Sequence, residues 1–316
     1  MATTTTLAND IGVLVGSPVI QGFFRNDEFF RLWTQRQAPA DTNYRWHILT
    51  AGLTGVLKAE GAAFSAAGAT TNSRAYLGYH THDAVVSVTD DLLAALGPNN
   101  SNSYWQSLAQ EVLQARKAVQ QAVMTRWLAA TAGTDGLGLA IDSTGVYAGL
   151  NHATVTGWTS TETAHGAALN DTVLGDTVET LRDDPIRARP TAILMPENQR
   201  TNYSRLSGPG IRNAFNLNAP GTGPANFDIG MSPTGDSYAG IPIYGIPEMT
   251  NTEIYFVTLA DGMIQYRQRA VGDAGGGWAS EEIPRGGYVA QVAISWNGHL
   301  CYTDPGNAAK LTGVTA

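Results

Sequence analysis

Residues 137–152 read LGLAIDSTGVYAGLNH. The run contains no Ser/His/Asp constellation, no metal ligands at a usable spacing and no phosphate-cradling loop. Its two glycines, Gly145 and Gly149, allow backbone conformations closed to other residues. A stretch this particular, with nothing to catalyse, directs attention to what lies on either side of it.

Upstream lies the clearest periodic signal in the chain. Trp105, Leu108, Val112, Val119, Val123 and Trp127 recur at spacings of three and four, with a gap at Arg116. This pattern predicts one amphipathic helix over 101–131. Ser103 and Gln106 fit a capping box, and Gly133 is a stop signal. At ~1.5 Å per residue the helix is roughly 40 Å long, enough to serve as a spine.

Downstream, Asn170 and Asp171 open a second helix carrying Val173, Leu174, Val178 and Leu181 on one side, ending before Pro185. PTAILMPENQRTNYSRL follows as a short apolar strand, a proline at a helix start and a polar helix. Residues 207–226 are rich in Gly, Pro and Asn and read as a long loop. The remainder alternates as strands: IPIYG, EIYFVTL, MIQYRQRAV, YVAQVAISW and HLCYT, with a hairpin tip across 271–287.

The first quarter is different. Residues 1–43 read as an arm, with FFRNDEFFRLW as a short helix candidate. YRWHIL and AVVSV are strand candidates. Between them some 25 residues of small and polar side chains show no helical or alternating pattern. So long a loop is uncommon in a compact domain. It is either unstructured on its own or an extended hairpin supported by another molecule.

Composition narrows the classes. The chain has 316 residues, which allows two domains or one core with large excursions. Charged residues make up only 15%, against ~25% in average soluble proteins. Much of the surface is therefore neutral and readily buried against partners. A net charge of −8 argues against a dedicated nucleic-acid binder. Lys58, Lys117 and Lys310 are outnumbered by 16 arginines. Either interfacial pairing or a coding bias explains that excess. Cys301 is the single cysteine and builds neither a disulfide framework nor a zinc site. The beginning of the chain has neither the charge pattern of a signal peptide nor a span-length apolar run, so a cytoplasmic site of synthesis is expected.

Familiar catalytic motifs are missing. His80-Thr81-His82-Asp83 opens like a His-x-His metal site, but Ala84, Val85, Val86 and Ser87 follow where a Glu is needed. GTDGLG at 133–138 follows a helix and has the wrong spacing for a dinucleotide loop. There is no strand–Ser–helix elbow and no Walker lysine. Asp183-Asp184 and Glu281-Glu282 are adjacent pairs, which do not converge on one substrate. No catalytic residue, metal or cofactor is assigned.

The series of parts resembles the major capsid protein of tailed bacteriophages, the Hong Kong 97 type fold. LAIDSTGVYAGLNHATVTGW after the spine helix, LNDTVLGDTVETLRD followed by PTAILMPENQ, AGIPIYGIPEM, and GHLCYTDPGNAAKLTG carry the resemblance. It implies an α+β capsid fold with an N-terminal arm (1–43), an extended E-loop hairpin (52–84), a peripheral (P) domain (85–140 and 256–297) holding the spine helix and a β-hairpin, and an α/β axial (A) domain (141–255 and 298–316).

The same resemblance implies a shell protein that self-assembles into pentamers and hexamers around double-stranded DNA, in a virion built in the host cytoplasm. E-loop contacts between neighbouring copies would fall on Lys58, Glu60, Phe64, Arg74 and Tyr76, and a three-fold hairpin tip on Trp278, Glu281, Glu282 and Arg285. A capsomer-axis loop would hold Pro209, Arg212, Asn213 and Asn216. Asp142, Gly145, Tyr147 and Gly149 would form the turn where the chain crosses between domains, with Tyr147 as its anchor. A separate scaffolding protein and a portal are implied partners, a decoration protein is an open one, and contact with DNA is weak and non-specific. Lys58 is the one lysine placed for an E-loop crosslink, with no identifiable acceptor, so non-covalent interlocking is the expectation. Two alternatives remain: an encapsulin-type nanocompartment shell, and an enzyme using His80 and His82.

Overall fold

A computed structural model describes residues 28–38, 43–51, 71–89, 101–129, 135–155, 157–183, 189–206, 237–267, 273–283 and 289–315. In chain order the elements begin with α1 (Glu28–Leu32), β1 (Thr34–Gln37), β2 (Asn43–Ala51), β3 (Thr71–Gly78), β4 (His80–Thr89) and α2 (Ser101–Leu128). Next come α3 (Leu137–Ala140), β5 (Val146–Tyr147), β6 (Leu150–Asn151), β7 (Thr161–Ala164), α4 (Asp171–Asp183), β8 (Ala192–Met195) and α5 (Glu197–Leu206). The chain finishes with β9 (Ser237–Tyr238), β10 (Ile241–Gly245), β11 (Ile254–Val257), β12 (Gly262–Tyr266), β13 (Asp273–Gly275), β14 (Trp278–Ile283), β15 (Val289–Tyr302) and β16 (Ala309–Thr312).

Two six-stranded sheets organise these elements. In the first, β15 is central: β4 runs antiparallel along Val289–Gly298, while β14 and then β12 pair antiparallel to successive parts of it. Strand β1 adds parallel to β12. Helix α2 packs on this sheet through Val112, Val119, Val123 and Trp127, all almost fully buried. Trp127 meets Phe30 at 5.6 Å and Trp296 at 5.5 Å between ring centroids. Aromatic burial thus fastens α1, the spine helix and the sheet to one another.

Arg116 fills the gap in the apolar period of α2. It is 1% exposed, and its guanidinium lies 4.8 Å from the centroid of Trp278. Burial pushes its pKa down to about 10, and the indole face offers partial compensation through its π-electrons. The helix starts at Ser101 and ends at Leu128. Ser103 therefore lies within the first turn instead of capping it, and the helix stops before the expected residue 131.

The second sheet has the order β7-β16-β11-β8-β10-β9 and mixes parallel with antiparallel pairs. Its central strands read as continuous apolar runs, AILM and IYFV, because both faces are covered. Ile193, Met195, Ile254 and Phe256 face a core built with Leu174, Val178 and Leu181 of α4. Their neighbours Ala192, Leu194, Tyr255 and Val257 join the core of the first sheet. Asn170 caps α4, its Oδ1 accepting from the Val173 N–H at 2.9 Å.

Two local expectations change. The hairpin expected over 52–84 has its paired strands at Asn43–Ala51 and Thr71–Gly78, and residues 80–84 belong to β4 inside the first sheet. The inward positions of β3 are Ala75 and Leu77, whose small and single apolar side chains give a weak alternating signal. YVAQVAISW and HLCYT are one strand, not two: β15 continues through Gly298, where the Gln265 carbonyl and the Trp296 ring leave no space for a Cβ. LGLA forms the short helix α3, buried throughout.

Candidate functional site

The opening stretch folds into a knot of contacts between the two sheets. After α3, Asp142 Oδ1 accepts from the Thr144 N–H at 3.1 Å and closes a local turn. Gly145 and Gly149 take φ of +88° and +78°, flanking the two-residue strands β5 and β6. Tyr147 is 0% exposed. Its hydroxyl oxygen accepts from the Tyr302 N–H at 2.9 Å, and the Tyr302 hydroxyl in turn accepts from the Thr258 N–H at 2.9 Å. Burial pushes the Tyr147 phenol well above its ordinary value, so it stays protonated.

The Tyr147 ring stacks on Trp158 with centroids 6.0 Å apart and planes 24° apart. Trp158 also stacks on His152, whose Nδ1 and Nε2 lie 2.8 and 3.1 Å from the carbonyl oxygens of Trp158 and Leu139. Trp158 also meets Trp46 of β2 at 6.2 Å between ring centroids. Trp46 donates Nε1–H to the Thr303 carbonyl at 3.1 Å. The β2–β3 hairpin is therefore moored to the turn by aromatic packing. A backbone bond from the Tyr76 N–H to the Ala148 carbonyl, 3.0 Å, adds a second mooring. The Tyr76 ring lies directly over Gly149.

Beneath the turn, Lys310 is 3% exposed. Its Nζ stands 3.9 Å from Asp142 Oδ2 and 3.6 Å from Glu162 Oε1. Glu162 Oε2 also accepts from Ser143 Oγ–H at 2.7 Å and from the Ser143 N–H at 3.4 Å. Burial raises the Glu162 pKa, but the Ser143 hydrogen bonds and the Lys310 ammonium outweigh it and hold the carboxyl below its usual range.

Of the residues singled out in the sequence, the structure brings Tyr76 and Gly149 into contact and gathers Asp142, Gly145 and Tyr147 around them. Arg74 lies exposed on the outer face of β3. Trp278 is 3% exposed beneath Arg116, a core position and not an exposed hairpin tip, because it starts β14 opposite Trp296. Glu281 is exposed on β14, and Glu282 stands opposite Val292. Lys58, Glu60, Phe64, Arg285, Pro209, Arg212, Asn213 and Asn216 lie outside the described residues.

The histidine pair sits on β4. His80 Nε2 lies 3.6 Å from Asp135 and 3.1 Å from Arg126 Nη2. Burial, then Arg126, pushes His82 down to about 4. His299, across the sheet, is pushed by burial to about 3. Among the described residues no group of three or more His, Cys, Asp or Glu side chains is placed to hold a metal ion. Cys301 is buried and its thiol is pushed far up by burial, which suits packing and not nucleophilic attack. No described helix is long and apolar enough to cross a membrane.

Sequence reasoning passed over Arg45, His47, Trp158 and the Lys310–Glu162–Asp142 cluster. Alternation in YRWHIL carries the signal for Arg45 and His47, since its aromatic positions face inward. The ionic cluster joins positions far apart in sequence and has no local signature.

The mixed α/β fold of the chain is shared with solved capsid and encapsulin structures. The cyanophage A-1(L) capsid shares it at a TM-score of 0.64 and 15% identity, over 90% of this chain and 91% of that one. The capsid of a native GTA particle matches at 0.59 and 13% identity, covering 90% and 89%. The holo-SrpI encapsulin complex from Synechococcus elongatus matches at 0.54 and 14% identity, covering 90% and 86%. At the sequence level no family model and no curated protein matches the chain.

Proposed function

We propose that the chain is the major capsid protein of a tailed bacteriophage, assembling as pentamers and hexamers into an icosahedral head around double-stranded DNA. One observation carries this reading: the fold shared with the cyanophage capsid extends over nine-tenths of both chains, leaving little of the subunit for another architecture. The moored hairpin supports it too, since Arg45, His47 and Arg74 on its outer face are left exposed by the rest of the described chain.

In this reading the segment before β2 is the N-terminal arm, and the β2–β3 hairpin with residues 52–70 is the E-loop. The first sheet apart from β1, with α2, is the P domain, and the second sheet with α4 and α5 is the A domain. Residues 207–226, with Pro209, Arg212, Asn213 and Asn216, approach the capsomer axis. Glu281, Glu282 and Arg285 approach the three-fold positions. A separate scaffolding protein and a portal are the partners in assembly, and a decoration protein binds outside where one is used. Shells form in the host cytoplasm, and the mature protein resides in the virion.

Electron microscopy of the purified full chain, alone and co-expressed with a candidate scaffold, tests this. Closed shells or five- and six-membered rings are expected. A monodisperse monomer or dimer under every condition would refute it. The encapsulin likeness motivates a second reading, a nanocompartment shell. Shells that co-purify with a protein cargo in place of nucleic acid would favour that one.

A further inference from the structure

The β2–β3 hairpin has two unlike faces. Tyr44, Trp46 and Ile48 pack with Ala75 and Leu77 against the first core. The opposite face carries Arg45, His47, Arg74 and Tyr76, all exposed, with Tyr76 at 52%. Arg45 stands opposite Tyr76, and His47 opposite Arg74. The two guanidinium-bearing positions are thus diagonal neighbours, roughly 7–8 Å apart at Cα. Asn43, Arg45, Arg74 and Tyr76 line a shallow recess between them. Among the described residues neither arginine has an ion-pair partner. In a chain of net charge −8 this is a concentrated positive patch with no ion-pair partner among the described residues.

A complementary stripe lies elsewhere on the same chain. Helix α4 buries Val173, Leu174, Val178 and Leu181 in the second core. Its outer side presents Asp176, Glu179 and Asp183, all exposed and none ion-paired among the described residues. Spacings of three and four residues put these carboxylates on one helix face, about 4.5 and 6 Å apart along the axis. The scale matches the paired arginines, whose planar forks bind carboxylates bidentately.

We infer that the Arg45/Arg74 face of one copy docks on the Asp176/Glu179/Asp183 face of α4 in a second copy. The inference rests on the shell reading and gives it a specific contact. The two patches stand on separate cores of one chain, so the contact is heterologous, the head-to-tail kind that closes rings. Like charges held side by side disfavour the hairpin face, and docking against carboxylates relieves that repulsion.

The test is a charge exchange in the full chain, read by sedimentation velocity and electron microscopy. Arg45→Glu/Arg74→Glu is expected to weaken association about 100-fold while leaving the far-UV circular dichroism and melting temperature near wild type. Asp176→Arg/Glu179→Arg is expected to do the same, and the four-fold exchange to restore assembly. Should the arginine reversal disturb folding, Arg45→Gln/Arg74→Gln gives the same comparison with a smaller loss. Wild-type assembly by both reversals would overturn the interface and leave the shell reading intact. Loss of assembly that the four-fold exchange does not restore would overturn α4 as the partner. A wild-type chain that never associates would instead defeat the shell reading itself.

Discussion

Gly149 is the position where the mooring of the hairpin is most exposed to a single atom. Its φ of +78° disfavours any side chain. An added Cβ would also fall on the Tyr76 ring. The Tyr76 backbone is held by the Ala148 carbonyl at 3.0 Å, so relief must come from rotation of the half-exposed ring off the turn. Gly149→Ala therefore combines two costs. The left-handed backbone contributes about 1–2 kcal/mol, and displacement of the ring adds about 1 kcal/mol of pairwise coupling. The assay is urea unfolding of the full chain at low protein concentration, for wild type, Gly149→Ala, Tyr76→Ala and the double variant. In the Tyr76→Ala background the glycine substitution should cost only the backbone part. An equal cost in both backgrounds would refute the ring-over-glycine contact. A cost below about 0.5 kcal/mol in either would refute the need for a left-handed conformation at this residue.

Other expectations concern the same junction and the histidines. Tyr147→Phe strands the buried Tyr302 N–H and should cost about 1–3 kcal/mol in unfolding free energy, with little change in fold by circular dichroism. Lys310→Met should cost about 2–3 kcal/mol, less than the ~3–5 of a fully buried pair, because Asp142 and Glu162 keep side-chain exposures of 17% and 25%; adding Glu162→Gln should recover part of the loss. Because the folded Glu162 carboxyl titrates below its unfolded value, its contribution is present at neutral pH and disappears as pH falls below the ordinary glutamate range near ~4.3, so Glu162→Gln should flatten that part of a stability–pH profile. His82 and His299 are held neutral in the fold, so the unfolded chain takes up their protons first. Stability should fall as pH drops from 6.5 toward about 4, and His82→Gln/His299→Gln should remove that slope.

Local pattern made much of this architecture readable before any coordinates. The helical spacing of Val112, Val119, Val123 and Trp127, one face of a helix interrupted only at Arg116, defines the spine helix because that side packs on a sheet. The Asn170 cap and the AILM run mark α4 and β8 for equally local reasons. Other features depend on distant partners. Trp278 looked like a surface hairpin residue, and only the return of Arg116 across it makes it core. Strands β1 and β7 are short, polar or half-exposed, and exist because β12 and β16 offer open edges. Lys310 reads as an ordinary basic residue until Asp142 and Glu162 converge on it. The basic face of the hairpin was present in the alternation of Tyr44-Arg45-Trp46-His47, but its meaning needs the inward side chains fixed first.

The connectivity of β15 and β16 has a temporal consequence. The first sheet is organised around Val289–Tyr302, and the second holds Ala309–Thr312 between β11 and β7. A nascent chain that has reached residue 280 possesses the spine helix and the hairpin strands but neither completed sheet. The junction also lacks its anchors on the last strands, since Tyr147 and Trp46 bind Tyr302 and Thr303. The protein thus becomes competent to present its surfaces only after synthesis has passed those strands. Polysomes crowded with half-made copies therefore hold no finished fold.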